Sequence, residues 1–203
     1  SAVQFPVSWM SMKSTNDPLG LADRTGLPDA LRVLAEGYPR EGWEAHRNFD
    51  DLTRFWLDRH LMFRRLQTEL ADDASALLER NAEPVRFAQR TSRLAGMLIN
   101  QLHGHHQIED HHYFPLLSAR DLRLVRGFDL LDSDHHELDE RLNALTLDAN
   151  TSLQAIAANE PYIDATAAYL TQVERLASLL DRHLTDEEEL IVPILLEYGP
   201  VQL

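Results

Sequence analysis

Residues 105–115 read HHQIEDHHYFP, and residues 183–193 read HLTDEEELIVP. Both follow the pattern H-x3-E-[DE]-x4-P. A His and a Glu four positions apart on a helix stand one above the other on the same face, roughly 6 Å apart along the axis, so both reach one interior point. The match extends upstream, since His60 precedes His105 by 45 residues and His135 precedes His183 by 48. Two helical hairpins, each giving a lone His and then a His-x3-Glu pair, make a pseudo-symmetric, up-down-up-down four-helix bundle.

The flanking apolar residues agree. Leu98, Leu102, His105, Glu109, His112 and Leu116 step by 4, 3, 4, 3, 4, which is bundle-core spacing. Leu131, His135, Leu138, Leu142 and Leu145 repeat it, as do Leu176, Leu180, His183, Glu187, Leu190 and Ile194, while Leu52, Trp56, His60, Phe63 and Leu70 share a face. The periodicity predicts helices over about 46–71, 84–114, 128–146 and from about 160, the last capped by Asn159 with Pro161 in its first turn. No period-2 strand pattern competes. Residues 1–42 differ: the turn signals NDPLG, TGLPD and GYPREG mark a Pro-rich arm, in which PDALRVLAEG predicts one short helix between Pro28 and Gly37. The expected organisation is this arm followed by a bundle over 43–203.

Composition narrows the chemistry. The 203 residues include no cysteine, which removes disulfides, thiolate catalysis and cysteine-held zinc or iron–sulfur sites. Any metal is then held by His, Asp and Glu. A net charge of −14 argues against a phosphate backbone as partner. SAVQFPVSWMSMK carries no basic region followed by an apolar run, and no apolar stretch reaches bilayer length, so no membrane partner and a cytoplasmic location are expected.

One His on an apolar stripe is more often a hydrogen-bonded core residue than a ligand. Four on four successive stripes, two with a Glu at the same spacing, favour a metal, because a buried carboxylate without a cation costs several kcal/mol. His60, His105, His135 and His183 with Glu109 and Glu187 place four imidazoles and two carboxylates around one cavity. That set suits iron, manganese or zinc, and because a carboxylate bridges two ions where an imidazole cannot, it points to a dinuclear centre. His112, one core step beyond Glu109, His106 at the edge of the stripe and Asp139, four after His135, are further candidate ligands. Asp110 is a candidate to hold an imidazole N–H from behind. His103, His111 and His136 point away from the core, His46 lies too far along the chain, and Glu188 and Glu189 read as a solvated acidic face. No phosphate loop, nucleophile elbow or catalytic nucleophile is present. Glu109-x-x-His112 has the form used by ferritin-like carboxylate bundles, but the fourth helix offers no second copy.

The lone His, H-x3-E-[DE]-x4-P, a second lone His and H-x3-E-E-x4-P, in that order over roughly residues 46–198, resemble the hemerythrin-like, or HHE cation-binding, domain. The resemblance implies a four-helix bundle with a non-haem di-iron centre that binds or senses dioxygen, or a related small diatomic or peroxide ligand. Carried over by position, His60 and His105 serve one iron, His135 and His183 the other, and Glu109 and Glu187 bridge. Oxygen-carrying members place a second His four residues after the third-helix His, where this chain has Asp139; His112 and His106 are the residues available to fill the gap. A redox enzyme acting on peroxide, nitric oxide or dioxygen is the alternative, and a redox-inactive zinc module a further one, with zinc or manganese as substitute metals. The arm is placed to cover one end of the bundle or to support a homodimer.

Overall fold

The computed structural model describes residues 17–202. Residues 1–16, the first part of the expected arm, lie outside them. The regular structure among the described residues is entirely helical. Helix α1 (Asp51–Leu78) is followed by α2 (Pro84–Ile108), a π turn (Glu109–Tyr113) and the short α3 (Phe114–Ser118), then by α4 (Val125–Ala157) and α5 (Ile163–Tyr198). Local chemistry sets these bounds. Asp50 caps α1 by accepting from the Thr53 N–H at 2.8 Å, which starts the helix later than the apolar stripe alone predicted. Glu83 caps α2 through the Val85 and Arg86 N–H groups, with Pro84 in the first turn where its missing N–H is not needed. Asn159 does not cap α5. It takes a left-handed conformation, φ 55°, just past the end of α4, and α5 begins only at Ile163.

Helix α1 packs against α2 and α5, and α4 packs against the same two, so the four long elements close a ring with α1 diagonal to α4. Two main apolar clusters fill the interior, and a third, small one joins Trp43 to Val192 and Leu196 of α5. The larger of the main two holds Phe63, Leu70, Leu98, Leu102, Leu138, Leu145, Leu176 and Leu180. The smaller holds Phe114, Leu117, Phe128, Leu131, Leu190 and Ile194. Each lone or paired His falls between residues of the two clusters along its own helix, so the polar layer is walled by hydrocarbon above and below. Gly127 of α4 permits this packing: a Cβ there would sit 2.7 Å from a methyl of Leu190.

The arm is not one helix after Leu27. It makes 3-10 turns at Asp29–Leu31, Ala35–Gly37 and Arg40–Gly42. A window bounded by Pro28 and Gly37 is too short to propagate an α-helix alone, and the turns instead direct Leu27, Leu31 and Leu34 into the smaller cluster. The arm therefore lies along the bundle near the polar layer.

The π turn changes the register of the second bundle element. The Phe114 N–H bonds to the Glu109 carbonyl, five residues back, which inserts one residue relative to an α-helix. The inward positions become Phe114 and Leu117, while Leu116 is 43% exposed. Pro193 holds the equivalent sequence place in α5 without a π turn, so proline alone does not cause it.

Candidate metal centre

Two groups of side chains meet in the polar layer. His60, His105, Glu109 and Glu187 form one, and His106, His135 and His183 the other; within each, the potential ligand atoms lie within 4.8 Å of one another. The Nε2 atoms of His60 and His105 are 3.1 Å apart, and the Glu109 carboxylate approaches His105 Nε2 at 2.7 Å and His135 Nε2 at 3.5 Å. Glu187 Oε2 lies 3.4 Å from His60 Nε2 and 3.8 Å from His183 Nε2. Each Glu thus faces a histidine from both groups. His106 and His135 stack with ring centroids 3.8 Å apart.

The outward nitrogens are held from behind. His60 Nδ1 is 2.9 Å from Glu188, His135 Nδ1 is 2.7 Å from Asp110, and His183 Nδ1 is 3.0 Å from Asp134. An N–H donated outward from Nδ1 leaves the Nε2 lone pair aimed into the layer. The first two contacts cross between hairpins. The acid that follows the Glu of one H-x3-E pair holds the lone His of the other hairpin, Asp110 on His135 and Glu188 on His60.

Behind these acids stand arginines. Arg24 of the arm, 7% exposed, donates through both Nη atoms to Asp134 and through Nε to Asp186 at 2.7 Å. Glu188 accepts from Arg64 at 2.9 Å and pairs with Arg40 at 2.9 Å. Trp56 Nε1 donates to Glu109 Oε1 at 2.9 Å.

These surroundings decide the charges. Burial pushes the His60 imidazole down to about 4, and it lowers His106 and His183 too, so all three are neutral at pH 7. Burial opposes ionisation of Glu109, but the imidazoles around it outweigh that effect and its pKa is lowered. Glu187 moves the other way: burial, and then the Glu109 charge beside it, raise it well above the ordinary carboxylate range. Burial likewise opposes ionisation of Asp134 and Glu188, yet hydrogen bonds from Arg24 and His183 to the first, and from His60 and Arg64 to the second, lower both.

The structure brings His60, His105, Glu109, His135, His183, Glu187 and His106 into one layer, but it does not bring in His112 or Asp139. His112 is exposed, because the inserted residue of the π turn rotates it out of the ladder. Asp139 is half-buried and faces His103 at 3.7 Å, on the outside of the bundle. Glu188 corrects the expectation of a solvated acidic face: it is 3% exposed, because the arm covers that side of α5, whereas Glu189 lies at the edge and meets Arg32. Arg24, Asp134 and Asp186 were not singled out in the sequence, and no spacing signal marks them.

The donor set fits a cation. His135 Nε2, His183 Nε2, both ring nitrogens of His106, Glu109 Oε2 and both Glu187 oxygens are buried without a hydrogen-bond partner. Each such atom costs about 1–3 kcal/mol when unpaired, and here they converge on one small volume. Two imidazole Nε2 atoms at 3.1 Å likewise repel unless a proton or a cation lies between them. A family model described as the hemerythrin HHE cation binding domain matches residues 51–195. No curated protein and no solved structure matches the chain. Among the described residues, no helix is long and apolar enough to cross a membrane.

Proposed function

Because the chain belongs to the hemerythrin HHE cation-binding family, we propose that it holds a pair of iron ions and uses them to bind or sense dioxygen or a related small oxidant. The supporting observation is that two groups of potential ligands meet in one buried layer, with unpartnered Glu109 and Glu187 oxygens of the first group turned toward the unpartnered Nε2 atoms of His135 and His183 in the second. His60 and His105 would serve one ion, His106, His135 and His183 the other, and the two carboxylates would bridge them. His106, from α2, supplies the fifth imidazole that Asp139 does not.

An iron pair held there supplies accessible one-electron redox steps and an electron-rich site for a small oxidant. The chain's own residues do the rest. Asp110, Asp134 and Glu188 fix three imidazoles in the tautomer that presents Nε2 inward. The two main apolar clusters wall the layer above and below. A cavity of about 540 Å³ reaches His105 and Glu109 but not the three-histidine side, so a ligand would arrive at the His60/His105 half.

Metal analysis of protein purified without oxygen tests this reading: two iron ions per chain are expected, and one zinc with no iron would overturn it. Glu109→Ala and Glu187→Ala should each prevent binding of the pair, since no imidazole can bridge. The size of the cavity favours a second reading, a redox enzyme acting on peroxide, nitric oxide or dioxygen. A reversible, oxygen-dependent absorption band supports the binder; bleaching with product formation supports the enzyme.

A further inference from the structure

The cavity beside His105 and Glu109 is far larger than a diatomic needs. At about 540 Å³ it falls within the range of pockets that enclose small organic molecules, roughly 300–1,000 Å³, whereas one water takes about 30 Å³ of liquid. It runs along the groove between α1 and α2. One end is walled by Leu52, Leu117 and Leu195, and Phe55 and Ile108 line it while remaining 59% and 56% exposed. Large apolar side chains left facing a concave surface mark a binding site more often than a bare surface.

The opposite end carries one cation. Arg59 is half-buried there, with its guanidinium over the rings of Phe55 and Phe63 at 5.9 and 5.8 Å. Its hydrogen-bond partner is the neutral side chain of Gln101. Among the described residues no carboxylate is paired with it. The cavity's own acids are engaged elsewhere: Asp50 caps α1, and Glu109 Oε1 takes the Trp56 N–H and faces His105. The groove therefore offers at one end a guanidinium that no carboxylate among the described residues balances, hydrocarbon at the other, and two of the candidate metal ligands, His105 and Glu109, along its floor.

We infer that this cavity binds an organic monocarboxylate with an extended apolar body, its acid group on Arg59 and its chain lying past His105 and Glu109 toward Leu117 and Leu195. Arginine suits that end because its planar donors match a carboxylate with two parallel hydrogen bonds. The inference deepens the reading of the metal centre, on which its floor alone depends. A molecule so placed would sit where it reports to, or is reached by, whatever the centre binds.

The test is calorimetric titration of the full chain, metal-loaded and metal-free, with dodecanoate and with 1-dodecanol. Saturable one-to-one binding of dodecanoate is expected. Arg59→Met should weaken dodecanoate at least tenfold and dodecanol little, and Ile108→Trp, which fills the groove from an exposed position, should weaken both while leaving metal content unchanged. No saturable binding of dodecanoate to the full chain overturns the inference, as does an Arg59→Met affinity equal to the parent's. Metal content measured on the same samples separates the two readings. Dodecanoate binding by a chain that takes up no iron leaves this inference standing and removes the proposed function; two irons without dodecanoate binding do the reverse.

Discussion

Replacing Arg24 by methionine probes the site from outside the span that the family model covers. The guanidinium is 2% exposed between Asp134 and Asp186, themselves 3% and 0% exposed. Arg24→Met keeps the volume and leaves two buried carboxylates short of their cation. Removing one partner of a buried pair costs about 3–5 kcal/mol. Here His183 still donates to Asp134 and Arg182 still reaches Asp186, so the loss should fall near the lower limit, about 3 kcal/mol. For a chain of this size that lowers Tm by roughly 6–12 °C. Metal affinity should drop roughly 10- to 100-fold as well, because Asp134 loses the anchor that keeps it on His183. Urea denaturation of metal-free protein gives the first quantity, and competition with a chelator gives the second. Adding Asp134→Asn to Arg24→Met should recover part of the stability, by removing one stranded charge, without recovering metal affinity. A loss below about 1 kcal/mol with unchanged metal affinity would refute the view that the arm holds this corner of the site.

His106→Ala should halve the bound metal or weaken it strongly, whereas His112→Ala, at an exposed position, should leave it unchanged; equal effects would contradict the π-turn register. Gly127→Ala forces a methyl to within 2.8 Å of both Leu190 methyls, and a destabilisation of about 1–3 kcal/mol is expected on denaturation, with a neutral result showing that α4 and α5 separate freely. The metal-free protein should lose stability as pH falls from 6.5 toward 4. His60 is held at about 4 when folded against an ordinary 6.5, so the unfolded chain takes the proton first, and this residue alone removes about 3 kcal/mol by pH 4. His106 and His183 act in the same direction, and Glu187, whose pKa is raised, offsets part of it. Denaturation midpoints at pH 7.5, 6 and 5 check this, and a stability that rises on acidification would contradict it.

The bundle was legible because its four stripes keep a strict helical period, and a His interrupting each at one level shows up in spacing alone. His105 and His106 mark the limit of that method. Neighbours on a helix differ by about 100°, and a ladder credits only one of them with facing inward. In a bundle interior α2 touches both α1 and α4, so His105 meets His60 while His106 meets His135 and His183. The π turn left no mark in the pattern, since the apolar residues on either side of it fit both registers. Glu188 was misread because amphipathic reasoning assumes a solvated outer face, and the arm removes that face from solvent. Arg24, Asp134 and Asp186 act through contacts spanning 110 and 162 residues, which no local period encodes.

The crossed clasp of Asp110 on His135 and Glu188 on His60 makes each hairpin the custodian of its neighbour's histidine. Such reciprocity is the contact pattern of a two-fold dimer, in which residue i of one subunit meets j of the other and j meets i. Here it is written within a single chain. Neither half owns a finished site, so His60 and His135 acquire their working orientation only once the two halves close on each other. Assembly of the bundle and readiness of its polar layer are then one event, and a partly folded chain presents scattered histidines instead of a centre that could capture a metal prematurely.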